Sequence, residues 1–188
     1  MSAIQNEKHL NKPTRLGPYL PYGTADNEAL RAQGRLIMVL TQKERTLLED
    51  LKGAEQLCIL KYTKYAEEAC DPCLSNLFNS IKTHEAGHLA TITKILAGDD
   101  VTAEQPKSAT EEKFTCEKSS CSEEVQKNDA YLCKDALSME KHVSGVYNTC
   151  VFEFSQPLLR DVLASIQKEE QNHGEKLYNY MSVNGMYN

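Results

Sequence analysis

Two segments of the chain carry the same chemical groups at the same spacing, and this repeat constrains the fold more than any other feature. Residues 85–88 and 170–173 both read Glu-x-x-His, and a single Glu stands 30 residues before each motif. One offset of 85 residues relates the two sets. The six residues are Glu55, Glu85, His88, Glu140, Glu170 and His173. Four carboxylates and two imidazoles in this order form the ligand set of a two-metal site in a four-helix bundle.

The same offset relates other residues without any gap. Matched pairs include Tyr62 with Tyr147, Pro72 with Pro157, Asp50 with Asp135, Leu74 with Leu159, and Ile81 with Ile166. Two copies are too few for a solenoid, so we expect two similar hairpins whose apolar faces cover each other.

Local signals place each copy on a helical hairpin. Thr41 to Glu44 matches a capping box, so the first helix is expected to start at Thr41. Pro72 and Pro157 stand where a second helix begins in each copy, since proline is favoured in the first turn. Apolar residues recur at helical spacing after each of these points.

The predicted fold is all-α: a ferritin-like four-helix bundle over residues 41–184, built from two duplicated helical hairpins. The hairpins cover residues 41–98 and 127–184, with the third helix over about 127–154 and the fourth from 157 to about 183. The polar linker 99–126 is expected to be the long crossover between helices two and three. Residues 1–40, which contain several prolines and glycines, predict an extended N-terminal arm with a short helix over 27–39, and residues 185–188 form a tail.

The six residues are expected to meet inside this bundle. Glu55 lies roughly 22 Å along its helix before the first turn, and Glu85 lies roughly 20 Å along the next helix after that turn. The two carboxylates are therefore expected at the same level along the bundle axis. Four buried carboxylates would repel one another and take up protons. Two divalent ions that accept oxygen and imidazole ligands would reverse this effect. We predict that Glu85 and Glu170 bridge the ions, that Glu55 and Glu140 are terminal ligands, and that each ion binds one histidine.

Neighbouring residues leave alternatives open. Salt bridges to Lys61, Lys141 or Lys168 could satisfy some of the carboxylates. His84 and Glu169 adjoin the ligands in sequence but point about 100° away around their helices, so they are expected on the surface.

Two tyrosines have two readings. Tyr62 and Tyr147 lie two turns after Glu55 and Glu140 on the same helical face. Each is either a core residue or a phenol that is hydrogen-bonded to a ligand or serves as a redox relay.

Composition bounds the partners. The formal net charge of −6 argues against sequence-independent binding of nucleic acid. No apolar run approaches the length of a membrane span, so no membrane insertion is expected. The polar N-terminus lacks the apolar core of a signal peptide, so export by a signal peptide is not expected.

The sequence contains seven cysteines. Cys58, Cys133 and Cys150 fall in predicted helices and are expected to be buried. Two closely spaced pairs, Cys70 with Cys73 and Cys116 with Cys121, could bind zinc or form disulfides. The spacing fits no standard zinc site, which favours cross-linking after assembly in an oxidising setting over zinc binding.

Two resemblances follow from these motifs. The six-residue pattern resembles the ferritin-like superfamily, including rubrerythrins and manganese catalases, although Val143 stands where rubrerythrins carry a further carboxylate and their rubredoxin module is absent. Residues 139–148 (MEKHVSGVYN), 166–175 (IQKEEQNHGE) and 178–187 (YNYMSVNGMY) resemble the Coat F family of bacterial spore coat proteins. The likeness covers roughly residues 129–188, and residues 41–98 resemble a diverged copy.

These resemblances imply synthesis in the mother-cell cytoplasm and assembly into the spore coat, with other coat proteins and further copies of this chain as partners. The first hypothesis is a coat protein that binds two Fe or Mn ions per chain and consumes peroxide or O₂, as a peroxidase- or catalase-like oxidoreductase. The alternative is a purely structural coat protein without catalytic activity, cross-linked through Cys and Tyr. A third hypothesis is an iron store.

Overall fold

The computed structural model describes residues 39–102 and 114–187. These residues form four α-helices and no strand: α1 (Gln42–Glu68), α2 (Pro72–Ala97), α3 (Glu123–Glu153) and α4 (Pro157–Val183). Helix α1 packs on α2 and α3 packs on α4, which confirms an all-α four-helix bundle made of two hairpins. The helix expected over 27–39 and nearly all of the N-terminal arm lie outside the described residues.

Capping explains most of the helix ends. Thr41 and Glu44 form the predicted capping box, in which each residue accepts a hydrogen bond from the backbone N–H of the other. Asp71 accepts from the N–H of Cys73 at 2.9 Å and so caps α2, whose first residue is Pro72. Helix α2 ends at Gly98, whose φ of +79° is the left-handed conformation that glycine adopts readily.

Helix α3 starts at Glu123, four residues earlier than predicted. The polar composition of this segment indicated a linker. However, acidic residues such as Glu123 and Glu124 stabilise the positive end of a helix dipole when they occupy its first turn. The connection between α2 and α3 therefore ends at Ser122, earlier than the predicted linker 99–126.

The helix directions require a long connection. Tyr62 contacts Glu140 and Glu55 contacts Tyr147, so α1 and α3 run antiparallel. Since the two helices of each hairpin are also antiparallel, α2 and α3 run in the same direction. The chain after Gly98 must therefore return along the bundle, a distance of about 40 Å for a helix of this length. Residues 103–113 of this connection lie outside the described part.

Each hairpin holds the turn of the other through one buried acidic residue. Asp129 on α3 accepts hydrogen bonds from the N–H groups of Cys70 and Asp71 at 2.9 and 3.2 Å. Glu44 on α1 accepts from the N–H of Ser155 at 2.8 Å, in the turn between α3 and α4. The offset of 85 residues relates both acids and both turn residues, so the internal repeat extends to the contacts between the hairpins.

A disulfide fixes the end of the linker to the first turn. Cys70 and Cys121 are bonded, and they are separated by 51 residues. In the chain-entropy description a loop of this length stabilises the fold by about 4 kcal/mol. The thiols of Cys73 and Cys116 lie next to each other without a bond. For Cys70 and Cys121 the structure thus favours the disulfide over the zinc alternative.

The remaining cysteines follow the prediction. Cys58, Cys133 and Cys150 are at most 1% exposed and belong to the core between the helices. Among the described helices, none combines the length and hydropathy needed to cross a membrane.

Candidate metal centre

The structure brings all six predicted ligand residues together in the middle of the bundle. Every one of them is at most 4% exposed. Their ligand atoms form two groups, each with all atoms within 4.8 Å of one another: Glu55, Glu85, His88 and Glu170 in one, and Glu85, Glu140, Glu170 and His173 in the other. Glu85 and Glu170 belong to both groups, which is the arrangement expected of two bridging carboxylates.

The local sequence explains this placement. Each residue lies on the apolar stripe of its helix, near the middle of the element, so packing of the stripes carries it inward. The three-residue spacing between Glu and His puts both side chains of each motif on one face. All four helices contribute, and the motif helices α2 and α4 contribute two residues each.

Both imidazoles present the same nitrogen to the cluster. Nδ1 of His88 lies 3.0 Å from Oε1 of Glu170 and 3.5 Å from Oε2 of Glu85. Nδ1 of His173 lies 3.0 Å from Oε1 of Glu85 and 3.3 Å from Oε2 of Glu140. Each histidine therefore faces carboxylates from both hairpins.

Within residues 39–102 and 114–187, no lysine or arginine pairs with the four carboxylates. The salt-bridge alternative fails there: Lys61 pairs with Asp135, and neither Lys141 nor Lys168 forms an ion pair with the cluster. The charge of the cluster is therefore balanced by protons or by bound cations.

Eight buried polar atoms of the cluster form no hydrogen bond of good geometry, although the two Nδ1 atoms lie 3.0–3.8 Å from carboxylate oxygens of the same cluster. The eight atoms are both carboxylate oxygens of Glu85 and Glu170, Oε2 of Glu55 and of Glu140, and Nδ1 of His88 and of His173. Buried polar atoms without well-formed hydrogen bonds are costly, and here they converge on one small region. Oxygen and imidazole nitrogen atoms in this ratio suit Mn, Fe and related divalent ions, so the residues present fit the predicted pair of metals.

The electrostatics of the metal-free cluster favour retained protons. Burial, followed by contacts with Glu85 and Glu170, raises the pKa of Glu55 to about 10. Burial also raises the pKa of Glu170 to about 8, although contact with His88 opposes this. Burial likewise disfavours ionisation of Glu85, but contacts with His173 and His88 outweigh it and lower the pKa of Glu85.

The histidines hold their protons as well. Burial lowers the pKa of His88, but Glu169 and Glu170 more than compensate and raise it to about 12. For His173, Glu140 and Glu85 overcome burial and raise the pKa to about 9. Cations that bind here must therefore displace protons.

The two tyrosines cross between the hairpins. The hydroxyl of Tyr62 on α1 donates to Oε1 of Glu140 on α3, and the hydroxyl of Tyr147 on α3 donates to Oε1 of Glu55 on α1. Both rings are fully buried, so each tyrosine is a core residue and a partner of a predicted terminal ligand at once. Oε1 of each terminal carboxylate is thereby occupied, which leaves Oε2 directed at the cluster.

His84 is exposed, as predicted, and Glu169 is partly exposed, yet each also contacts a histidine of the cluster. Nε2 of His88 lies 2.8 Å from Oε2 of Glu169, and Nε2 of His173 lies 3.0 Å from Nδ1 of His84. The direction around a single helix did not reveal these contacts, because α2 and α4 are neighbours and a residue at the edge of one stripe reaches a histidine on the other helix.

A groove on the second hairpin borders the cluster. It lies between α3 and α4, has a volume of about 560 Å³, and includes Glu140, Glu170, Ser144 and Gly174 in its lining. Its outer part is lined by Tyr178 and Tyr187, whose rings pack edge to face with their centroids 4.9 Å apart.

The first hairpin has larger side chains at the equivalent positions. Ile59 corresponds to Ser144 and Leu89 to Gly174. Access is therefore expected from the α3–α4 side. Sequence reasoning missed this groove, although the substitution of small residues for large ones between the two copies marks it.

The fold and the cluster together define a four-helix bundle with a buried carboxylate–histidine centre at its middle. The family model of the Coat F domain matches residues 128–188, the last third of the chain. This segment contains Glu140, Glu170 and His173, so it carries half of the cluster, and the match supports the resemblance to the Coat F family. Comparisons with curated proteins and with solved structures gave no match.

Proposed function

We propose that the chain is a spore coat protein of ferritin-like fold that binds two Fe or Mn ions in its bundle and uses them to consume peroxide or O₂. The Coat F match supports the place in the coat. The observation that carries the metal proposal is the convergence of eight buried ligand atoms that lack a well-formed hydrogen bond on one region, without a lysine or arginine partner among the described residues.

The chain would hold the metals with both hairpins. Glu55 and His88 would bind one ion, Glu140 and His173 the other, and Glu85 and Glu170 would bridge them. When bound, the two ions would supply the redox chemistry, since one electron from each, together with two protons, would reduce one H₂O₂ to two water molecules. The bundle keeps bulk water away from these groups, because every ligand side chain is buried.

Other side chains of the chain would orient the ligands and admit the oxidant. Tyr62 and Tyr147 fix the outer oxygens of the terminal carboxylates, so their remaining oxygens point inward. The groove between α3 and α4 would admit a small oxidant to Glu140 and Glu170. In the coat, other coat proteins and further copies of this chain would be its partners.

A second candidate function is a structural coat protein that is cross-linked through Cys and Tyr. Among the described tyrosines three are exposed, with Tyr131 at 65%, Tyr187 at 46% and Tyr178 at 45%. Cys73 and Cys116 are partly exposed free thiols. Such groups would serve intermolecular cross-links whether or not the cluster holds metal.

Elemental mass spectrometry of the purified protein tests these functions. About two Fe or Mn ions per chain, lost in the Glu85→Gln/Glu170→Gln double variant and kept in the Glu67→Gln control on exposed α1 surface, would support the metal centre. Absence of metal from the wild-type protein, despite growth with added iron and manganese and an intact helical fold, would leave the structural function. Many more than two ions per chain would point to storage.

A further inference from the structure

The two halves of the cluster differ at the pair of equivalent positions that contacts the outer nitrogens of the histidines. His88 and His173 are repeat counterparts, and both direct Nδ1 inward and Nε2 outward. Their outer partners are counterparts too, yet one is the carboxylate of Glu169 and the other the imidazole of His84. The terminal carboxylates, the bridging carboxylates and the crossed tyrosines otherwise match between the halves.

We propose that the two metal positions differ in affinity, and that the position formed by Glu55 and His88 binds its ion more tightly than the position formed by Glu140 and His173. This inference rests on the proposed function, because it concerns the same pair of metals. Glu169 and His84 are positioning residues here: each acts on an ion only through the histidine that it contacts.

The chemistry of the outer partner sets the difference. The Glu169 carboxylate can only accept a hydrogen bond from Nε2–H of His88, so it fixes the tautomer in which Nδ1 carries no proton and is free to bind a metal. Its negative charge also makes Nδ1 of His88 a better electron-pair donor to the metal. His84 carries no negative charge. Nδ1 of His84 can also either accept a hydrogen bond from Nε2–H of His173 or donate one to Nε2. If His84 donates, a neutral His173 carries its proton on Nδ1, where the proton blocks metal binding.

Loss of such an outer partner changes metal affinity by about 10- to 100-fold. We therefore expect the two dissociation constants to differ by about tenfold or more. The first ion would occupy the position of Glu55 and His88, and a chain with one ion would be a defined species instead of an even mixture.

The test is a titration of the metal-free full-length protein with Mn²⁺, followed by calorimetry and by electron paramagnetic resonance. Two binding steps, with the signal of an isolated Mn²⁺ ion dominating at one equivalent and a coupled pair appearing only towards two, are expected. In His84→Glu both histidines have carboxylate partners, so the second step should tighten and move towards the first. In Glu169→His the first step should weaken towards the second.

His142→Glu is the matched control, because it makes the same exchange at an exposed position of α3 and should leave both steps unchanged. Two equal steps in the wild-type protein, or a second step that His84→Glu does not tighten, would overturn this inference and leave the di-metal centre standing. If the wild-type protein binds no Mn²⁺, the proposed centre itself is wrong and the inference falls with it.

Discussion

Tyr147 on α3 donates its hydroxyl hydrogen to Glu55 on α1, and the internal repeat produces the reverse contact from Tyr62 on α1 to Glu140 on α3. Each hydrogen bond joins the two hairpins at the height of the cluster. Because both pairs are buried, each phenol replaces the water that would otherwise solvate one carboxylate oxygen. The tyrosines therefore couple the association of the hairpins to the geometry of the candidate centre.

Removal of these hydroxyl groups should weaken both the fold and the site. Tyr62→Phe or Tyr147→Phe should each lower the free energy of unfolding by about 1–3 kcal/mol, since a buried carboxylate oxygen loses its donor while the ring still fills its space. Chemical denaturation of the metal-free protein measures this. Tyr131→Phe, at an exposed position, is the control, and equal stability of all three variants would show that the crossed contacts contribute nothing.

Asp129 holds the turn between α1 and α2 by accepting from two backbone N–H groups. Asp129→Ala should lower the free energy of unfolding by about 2–4 kcal/mol, because each N–H that loses its acceptor costs about 1–3 kcal/mol. Asp161→Ala on exposed α4 surface is the matched control. A loss of less than about 0.5 kcal/mol in Asp129→Ala, within the range of surface substitutions, would contradict the structural role of this contact.

The sequence was sufficient to predict the fold and the convergence of the six residues, because both depend on local periodicity. Helical spacing puts Glu85 and His88 on one face, and the gapless repeat then fixes the second half of the cluster. The early start of α3 was missed because its first turn is polar, and a polar turn is equally consistent with a linker.

Features that depend on packing between helices were harder to predict from the sequence. The contacts of His84 and Glu169 form only because α2 and α4 are neighbours, which no single helix reveals. The pairing of Cys70 with Cys121 depends on the path of the linker, since cysteine spacing leaves several connectivities open. The crossed tyrosines required knowledge of how α1 and α3 pass each other.

The stability of the metal-free protein should fall as the pH rises from about 7 to about 8.5. In the folded state Glu55 and Glu170 have pKa values of about 10 and about 8, far above their ordinary value, and those of His88 and His173 are also raised. The folded state therefore binds more protons than the unfolded state in this window, and stability is lost as those protons leave. The lowered pKa of Glu85 acts only below its ordinary value of 4.5, outside the window.

Thermal unfolding of the metal-free protein at the two pH values measures this effect. Glu55→Gln, which resembles the protonated carboxyl group, should reduce the loss of stability between them. Added Mn²⁺ should stabilise the wild-type protein more at the higher pH, because fewer protons must be displaced. A metal-free protein that becomes more stable with rising pH would contradict the proposed protonation of the cluster.

Filling the groove between α3 and α4 should slow exchange at the candidate centre. A Cβ atom added at Gly174 would lie 3.5 Å from Cδ1 of Leu137, an ordinary contact, so α4 can accept a side chain there. Gly174→Leu restores the residue that Leu89 supplies in the first hairpin, and should close the path to Glu140 and Glu170 without changing the ligands. The rate at which a chelator removes bound Mn²⁺ should fall severalfold, while the number of ions bound per chain stays the same.

Gly87→Leu, on the exposed side of α2 with nothing near its Cβ position, provides the matched control. If both variants release Mn²⁺ at the wild-type rate, the path to the centre lies elsewhere.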